Sequence, residues 1–166
     1  MRGLPLSELR DAYCQIPTVV PLAGMQLKSL NLFACRQLGD LAPLAEMPLT
    51  SLDIGGTAVS ELSTLKGMKL TTLSCYKTSV SDLSPLAGMP LTSLNLFGCP
   101  RLHDVAPLKG MNLTEIRLSP RNFAKDNVEV LRACKSLKTV IVGEKASDVL
   151  KVEDFWKKFD AGEFKP

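Results

Sequence analysis

The chain is poor in the residues that most site chemistry needs. Its 166 residues include one histidine, His103, whereas a zinc site wants several nitrogen or sulfur ligands converging on one point. Five cysteines are present, Cys14, Cys35, Cys75, Cys99 and Cys134, and none falls in a C-x-x-C pair, the spacing of redox and zinc motifs. Concentrated charge is missing too. Residues 1–118 carry 10 basic and 9 acidic side chains and residues 119–166 carry 10 and 8, so there is no basic stripe for a nucleic acid. No apolar run is long enough to span a bilayer, and the first residues lack the basic-then-apolar order of a signal peptide. These absences predict no metal, no cofactor, no nucleic-acid or membrane partner, and a reduced, cytoplasmic chain.

What the chain has in place of these is leucine at fixed intervals. Leu27, Leu49, Leu70, Leu91 and Leu113 each open a phrase Leu-x-Ser/Thr-Leu/Ile or a close variant of it, and recur every 21 or 22 residues. A period in this range with this leucine spacing marks a leucine-rich repeat. Within one unit, Leu49, Leu52 and Ile54 predict a very short strand with one apolar face, Thr57 and Val59 carry the inward set through a turn, and Leu62, Leu65 and Met68 line the return leg. About twenty residues cannot close a core alone, so the units must stack. Pro43, Pro85 and Pro107 sit on three return legs, with Thr64 in the fourth; proline there excludes a long helix and predicts a tight turn or 3₁₀ helix on the convex side.

The expected fold is an α/β solenoid with a short parallel sheet on its concave face, and the expected organisation is a single domain over residues 1–166. Residues 6–26 form a degraded first unit, with Asp11 where other units place an apolar side chain. Residues 27–112 hold four regular units. Residues 113–145 form a unit with a true helix, from the spacing of Val128, Leu131 and Cys134, and a last strand at Leu137, Val140 and Val142. Residues 146–166 form an amphipathic C-terminal cap through Val149, Val152, Phe155, Trp156 and Phe159. The thin cover over the first unit predicts fraying or weak self-association at the N-terminal end.

Catalytic candidates weaken against this template. Cys99 falls inside and His103 on an outer turn, so a thiol–base pair is not expected. Cysteines that repeat at inward positions read as packing. Asp40, Glu61, Asp82 and Asp104 recur at one place, as a cation ladder or, in the favoured reading, as caps accepting backbone N–H bonds. Gly24, Gly67, Gly88 and Gly110 are corner glycines.

The concave positions do not serve the core and differ between copies. Phe33, Tyr76 and Phe97 share one column at the strand ends, with Gly55 between the first two, and Asn31, Asp53, Ser74, Asn95 and Arg117 lie beside it. An exposed aromatic row suggests a docking surface for a protein or peptide; the alternative is that the rings only cover the rim of the sheet. The chain is accordingly read as a non-enzymatic interaction or sensing module, the alternative being a structural spacer or part of a longer array.

The phrase Ser81-Asp-Leu-Ser-Pro-Leu86 resembles the short, proline-containing repeats of internalins. The tandem units, together with Cys134–Thr139 and the Phe155–Phe164 tail, are also similar to bacterial multidomain proteins in which such repeats often follow a Ser/Thr kinase domain. That resemblance implies recognition or sensing. No kinase motif occurs in these residues, so it implies no kinase activity here.

Overall fold

The computed structural model describes residues 6–123 and 125–164. Each unit contributes one three-residue strand: β1 (Glu8–Arg10), β2 (Ser29–Asn31), β3 (Ser51–Asp53), β4 (Thr72–Ser74), β5 (Ser93–Asn95), β6 (Glu115–Arg117) and β7 (Thr139–Ile141). They pair in sequence order and in parallel, and β8 (Val149–Lys151) closes the sheet antiparallel to β7. The register places equivalent residues side by side, Leu30 on Leu52, Leu52 on Leu73 and Leu73 on Leu94. Because strand side chains alternate, this stacks every central leucine into one interior ladder and leaves its neighbours on the concave face. Leu30, Leu52, Leu73 and Leu94 are each 1% exposed.

The return legs are 3₁₀ turns at Ala42–Leu44, Ser63–Leu65, Ser84–Leu86 and Ala106–Leu108, with an earlier one at Val20–Leu22. All but Ser63–Leu65 carry proline in the first turn, where its missing N–H is no loss and its fixed φ suits the turn. Asp40, Asp82 and Asp104 accept the backbone N–H of Ala42, Ser84 and Ala106, each at 2.8 Å. The acidic ladder is therefore a set of caps; Glu61, one carbon longer, makes no such bond among the described residues. Gly67, Gly88 and Gly110 take φ of 81°, 72° and 71° at the following corner, a conformation that costs any residue with a Cβ.

Buried polar groups tie the turns together. Thr57 and Thr78 donate to the carbonyls of Ile54 and Cys75 at 2.7 and 2.8 Å, and the Cys99 thiol donates to Cys75 O at 3.0 Å. Burial pushes the thiols of Cys75, Cys99 and Cys134 up from their ordinary value, which makes them poor nucleophiles. Cys14 and Cys35 correct the expectation of a wholly reduced chain: they are joined by a disulfide, with Cα atoms 4.7 Å apart. The cause lies in the repeat itself. Residues 21 apart occupy the same column on adjacent coils, and the spacing between coils falls inside the range that a disulfide spans. Among the described residues no helix is long and apolar enough to cross a membrane.

The two ends of the stack differ. At the C-terminal end, α1 (Lys125–Glu129) passes directly into a 3₁₀ segment, Val130–Ala133. A spacing of three between Val128, Leu131 and Cys134 suits 3₁₀ geometry, in which i and i+3 eclipse, so the helix expected there is only partly α. The expected cap helix also starts later, because Val149 belongs to β8 and α2 covers Val152–Asp160. Its Phe155 and Phe159 sit 0% and 9% exposed over the last coil, and Arg132 lies 3.9 Å over the Trp156 ring while pairing with Asp160 at 2.6 Å. At the other end Leu6 and Val20 remain 50% and 61% exposed. Asp11 is exposed rather than inward, and the Cys14–Cys35 bond fastens a coil in which Val19 is fully buried while Leu9, Ile16, Leu22 and Met25 are only partly so.

Candidate recognition surface

The concave edge is fixed by backbone before any side chain is considered. After each of the first five strands the chain turns at a left-handed residue: Tyr13 (φ 61°), Ala34 (60°), Gly56 (68°), Lys77 (50°) and Gly98 (75°). The N–H groups of Tyr13, Ala34, Gly56 and Lys77 bond the carbonyls of Phe33, Gly55, Tyr76 and Phe97 on the next coil at 2.6 to 2.9 Å. Asn31, Asp53 and Asn95, two residues before the rim position, each turn Oδ1 to accept the N–H of Phe33, Gly55 and Phe97 at 2.9, 2.9 and 3.1 Å. These polar residues hold the rim, and the rim sets the direction of the aromatic rings.

The rings form one row. Tyr76 stacks on Phe97 with centroids 6.3 Å apart and planes 13° from parallel, Phe33 lies 6.1 Å from Tyr76, and Tyr13 meets Phe33 edge-on at 5.5 Å. Phe33 and Tyr76 are two strands apart, or about 9.6 Å at ordinary strand spacing, so the glycine between them does not leave a gap. It lets them lean together: a Cβ on Gly55 would stand 3.0 Å from Phe33 Cδ2 and 3.1 Å from Tyr76 Cβ. The row is therefore half-buried in its own stacking rather than fully exposed, with Tyr13 at its open end, 72% exposed.

Cationic groups flank the far end. The Arg117 guanidinium lies 5.2 Å from the Phe97 centroid and 5.9 Å from that of Tyr76, and Lys77 Nζ lies 4.8 Å from Tyr76, geometries in which ring faces attract cations. The loop between β7 and β8 reaches back to this point. Tyr76 donates its hydroxyl to Glu144 Oε1 at 2.5 Å, Lys77 pairs with the same oxygen at 2.9 Å, and Arg117 Nη2 donates to Gly143 O. The Tyr76 hydrogen bond, then Lys77, holds the Glu144 carboxyl below its usual range. Arg117 Nε is buried with no partner among the described residues.

Phe33, Asp53, Ser74, Tyr76, Asn95 and Arg117 together line a shallow hollow of about 270 Å³. Phe97 turns its other side to a second hollow of about 420 Å³, shared with Ser119, Val142 and Phe164. Asn31 lies on the same face and is used in the rim bond to Phe33. The sequence pattern puts Ala12 in the aromatic column and misses Tyr13, the next residue along; alignment with Ala34, Gly56, Lys77 and Gly98 as the turn position would find it. Nothing in the sequence connects Glu144 to Tyr76, 68 residues away. Cys99 and His103 do diverge: the thiol is 1% exposed, while the exposed imidazole sits 3.1 Å from Asn122 O.

No family model matches this sequence, and no curated protein matches it. Solved structures do. Internalin C2 of Listeria monocytogenes is 30% identical, with a TM-score of 0.67 over 76% of this chain and 56% of its own. An internalin (inlF) of the same organism is 26% identical, with a TM-score of 0.70 over 86% of this chain and 44% of its own. The chain thus spans about half the length of the internalins it matches. Stacked parallel strands, 3₁₀ return legs and a helical end make it a leucine-rich repeat solenoid, similar in structure to the internalins of Listeria.

Proposed function

We propose that this chain is a non-enzymatic protein-interaction or sensing module that binds a protein or peptide partner along its concave rim. The observation that carries the proposal is the continuous row Tyr13, Phe33, Tyr76 and Phe97, met at one end by Arg117 and Lys77. Large aromatics beside arginine are the side chains that most often dominate binding energy. Asn31, Asp53, Ser74 and Asn95 complete the site by shaping the rim and offering polar atoms around the row. Residues 1–166 act in this proposal as one repeat domain, and the tail at Phe155–Phe164 suggests a place behind a Ser/Thr kinase domain in a longer protein. A photo-crosslinking amino acid placed at Phe33 should capture a discrete partner from native lysate, and the same group at convex Lys66 should not. Equal capture at both positions, or none at Phe33, would favour a spacer with no dedicated ligand.

Exposed Leu6 and Val20 on the first coil support a second, weaker contact between copies of the chain. Sedimentation should then show concentration-dependent association that Val20→Asp removes.

A further inference from the structure

The loop between β7 and β8 does more than connect two strands, because it delivers a carboxylate to the end of the aromatic row. We propose that Tyr76, Lys77 and Arg117 form a carboxylate-binding subsite, held by Glu144 of the chain itself until an acidic segment of the protein partner displaces it. The proposal rests on the concave reading and adds the chemistry of the partner.

Three features of the geometry carry it. Glu144 Oε1 receives both the Tyr76 hydroxyl at 2.5 Å and Lys77 Nζ at 2.9 Å, so two donors from one coil converge where a single carboxylate oxygen sits. The pair is open to competition, with Lys77 and Glu144 side chains 54% and 53% exposed; an exposed pair is weakly held, so an incoming carboxylate has little to displace. Arg117, at the end of β6, is tethered to the same loop through Gly143 O, keeps its guanidinium against Phe97 and Tyr76, and has an Nε donor without a partner among the described residues. Release of the loop would free further guanidinium donors beside an aromatic surface, the combination that reads an acidic side chain next to an apolar one. Glu144 then acts as an internal competitor that lowers apparent affinity by the fraction of time it occupies the subsite.

Fluorescence anisotropy with the full chain and a labelled hexaglutamate peptide, against hexalysine and a neutral Gly-Ser peptide, tests this. Glu144→Gln keeps the size of the side chain and should strengthen hexaglutamate binding about fivefold by removing the competitor. Lys77→Gln should weaken hexaglutamate binding about fivefold in either background, and the control peptides should not respond. Unchanged or weaker hexaglutamate binding by Glu144→Gln overturns the proposal, as does indifference to Lys77→Gln or failure of the Glu144→Gln protein to bind the peptide at all. Tyr13→Ala and Phe97→Ala, made in the protein that carries the crosslinker at Phe33, leave Tyr76, Lys77, Arg117 and Glu144 in place and report on the row. If they weaken partner capture while the charge variants change nothing, the concave reading stands and the carboxylate subsite falls.

Discussion

On the convex side the three coils from Leu49 to Asn112 carry nearly the same phrase, a 3₁₀ turn followed by a corner at Gly67, Gly88 or Gly110 and then a methionine. On the concave rim the equivalent positions change from Phe33 to Gly55 to Tyr76 to Phe97. The convex residues vary little because the backbone dictates them: proline fixes every turn but Ser63–Leu65, Asp40, Asp82 and Asp104 cap three of them, and glycine takes the left-handed corner. The rim residues answer to no such demand, since the strand ends are held by main-chain bonds and by Asn31, Asp53 and Asn95. A repeat protein can therefore be separated into what makes it stack and what it is free to present, and on this chain the free part is aromatic.

The largest effect should come from the interior that both faces share. Leu73 is 1% exposed at the centre of the leucine ladder, and an unpaired carboxylate there should cost several kcal/mol, about enough to unfold the domain. Loss of the far-ultraviolet circular dichroism signal of Leu73→Asp would show it; a folded variant would mean that the ladder is less tightly closed than the packing indicates.

Glycine substitutions sharpen the contrast between faces. A Cβ added to Gly88 would meet open space, but φ there is 72°, so Gly88→Ala should lower stability by roughly 1 kcal/mol through the backbone alone and leave binding unchanged. Gly55→Val meets Phe33 and Tyr76, and should cost about 1–3 kcal/mol by overpacking while separating the two rings and weakening partner binding. Denaturant titration and binding measured on both variants would decide; identical behaviour would erase the distinction.

Smaller effects concern thiols and protons. Cys75 and Cys99 lie between the faces and should label slowly with a thiol reagent in the native state, whereas Cys14 and Cys35 should label only after reduction; mass spectrometry reads both. Rapid labelling of Cys99 would reopen a catalytic role, and free Cys14 in air-oxidised protein would contradict the cross-link. Glu144 gives the pH dependence. Its folded pKa is depressed by Tyr76 and Lys77, with Arg117 adding to it, so the contact is complete above the ordinary glutamate value of about 4.3 and disappears as pH falls through the lowered one. Nuclear magnetic resonance of the Glu144 carboxyl should give a midpoint below that ordinary value. A midpoint at or above it would mean that the loop does not rest on Tyr76.

Much of this architecture is legible in the sequence because it repeats. Leucine spacing predicts the strand positions, their parallel order and the inward set, and proline predicts the 3₁₀ legs. The column of Phe33, Tyr76 and Phe97 follows from the same register, and Asn31, Asp53, Ser74, Asn95 and Arg117 fall beside it in the structure. Where repetition stops, the reading is only partial: the expected C-terminal helix is present as Val152–Asp160, but it starts later than the pattern predicts because Val149 belongs to a strand. Strand β8 and the loop carrying Glu144 follow the last full unit, and an excursion back to Tyr76 leaves no periodic trace. Tyr13 escapes by one position because the first coil is degraded. The Cys14–Cys35 bond is hidden for a different reason: a column of inward cysteines reads as packing until adjacent coils are seen at disulfide distance.

The most direct measurement is calorimetric titration of a partner recovered by crosslinking at Phe33 against variants of each face. Tyr76→Ala and Phe97→Ala should each weaken binding about tenfold or more with the melting temperature nearly unchanged, and the exposed convex changes Lys66→Ala and Lys109→Ala should do little. Binding abolished by the convex substitutions and untouched by the aromatic ones would contradict the assignment and put recognition on the opposite side of the solenoid.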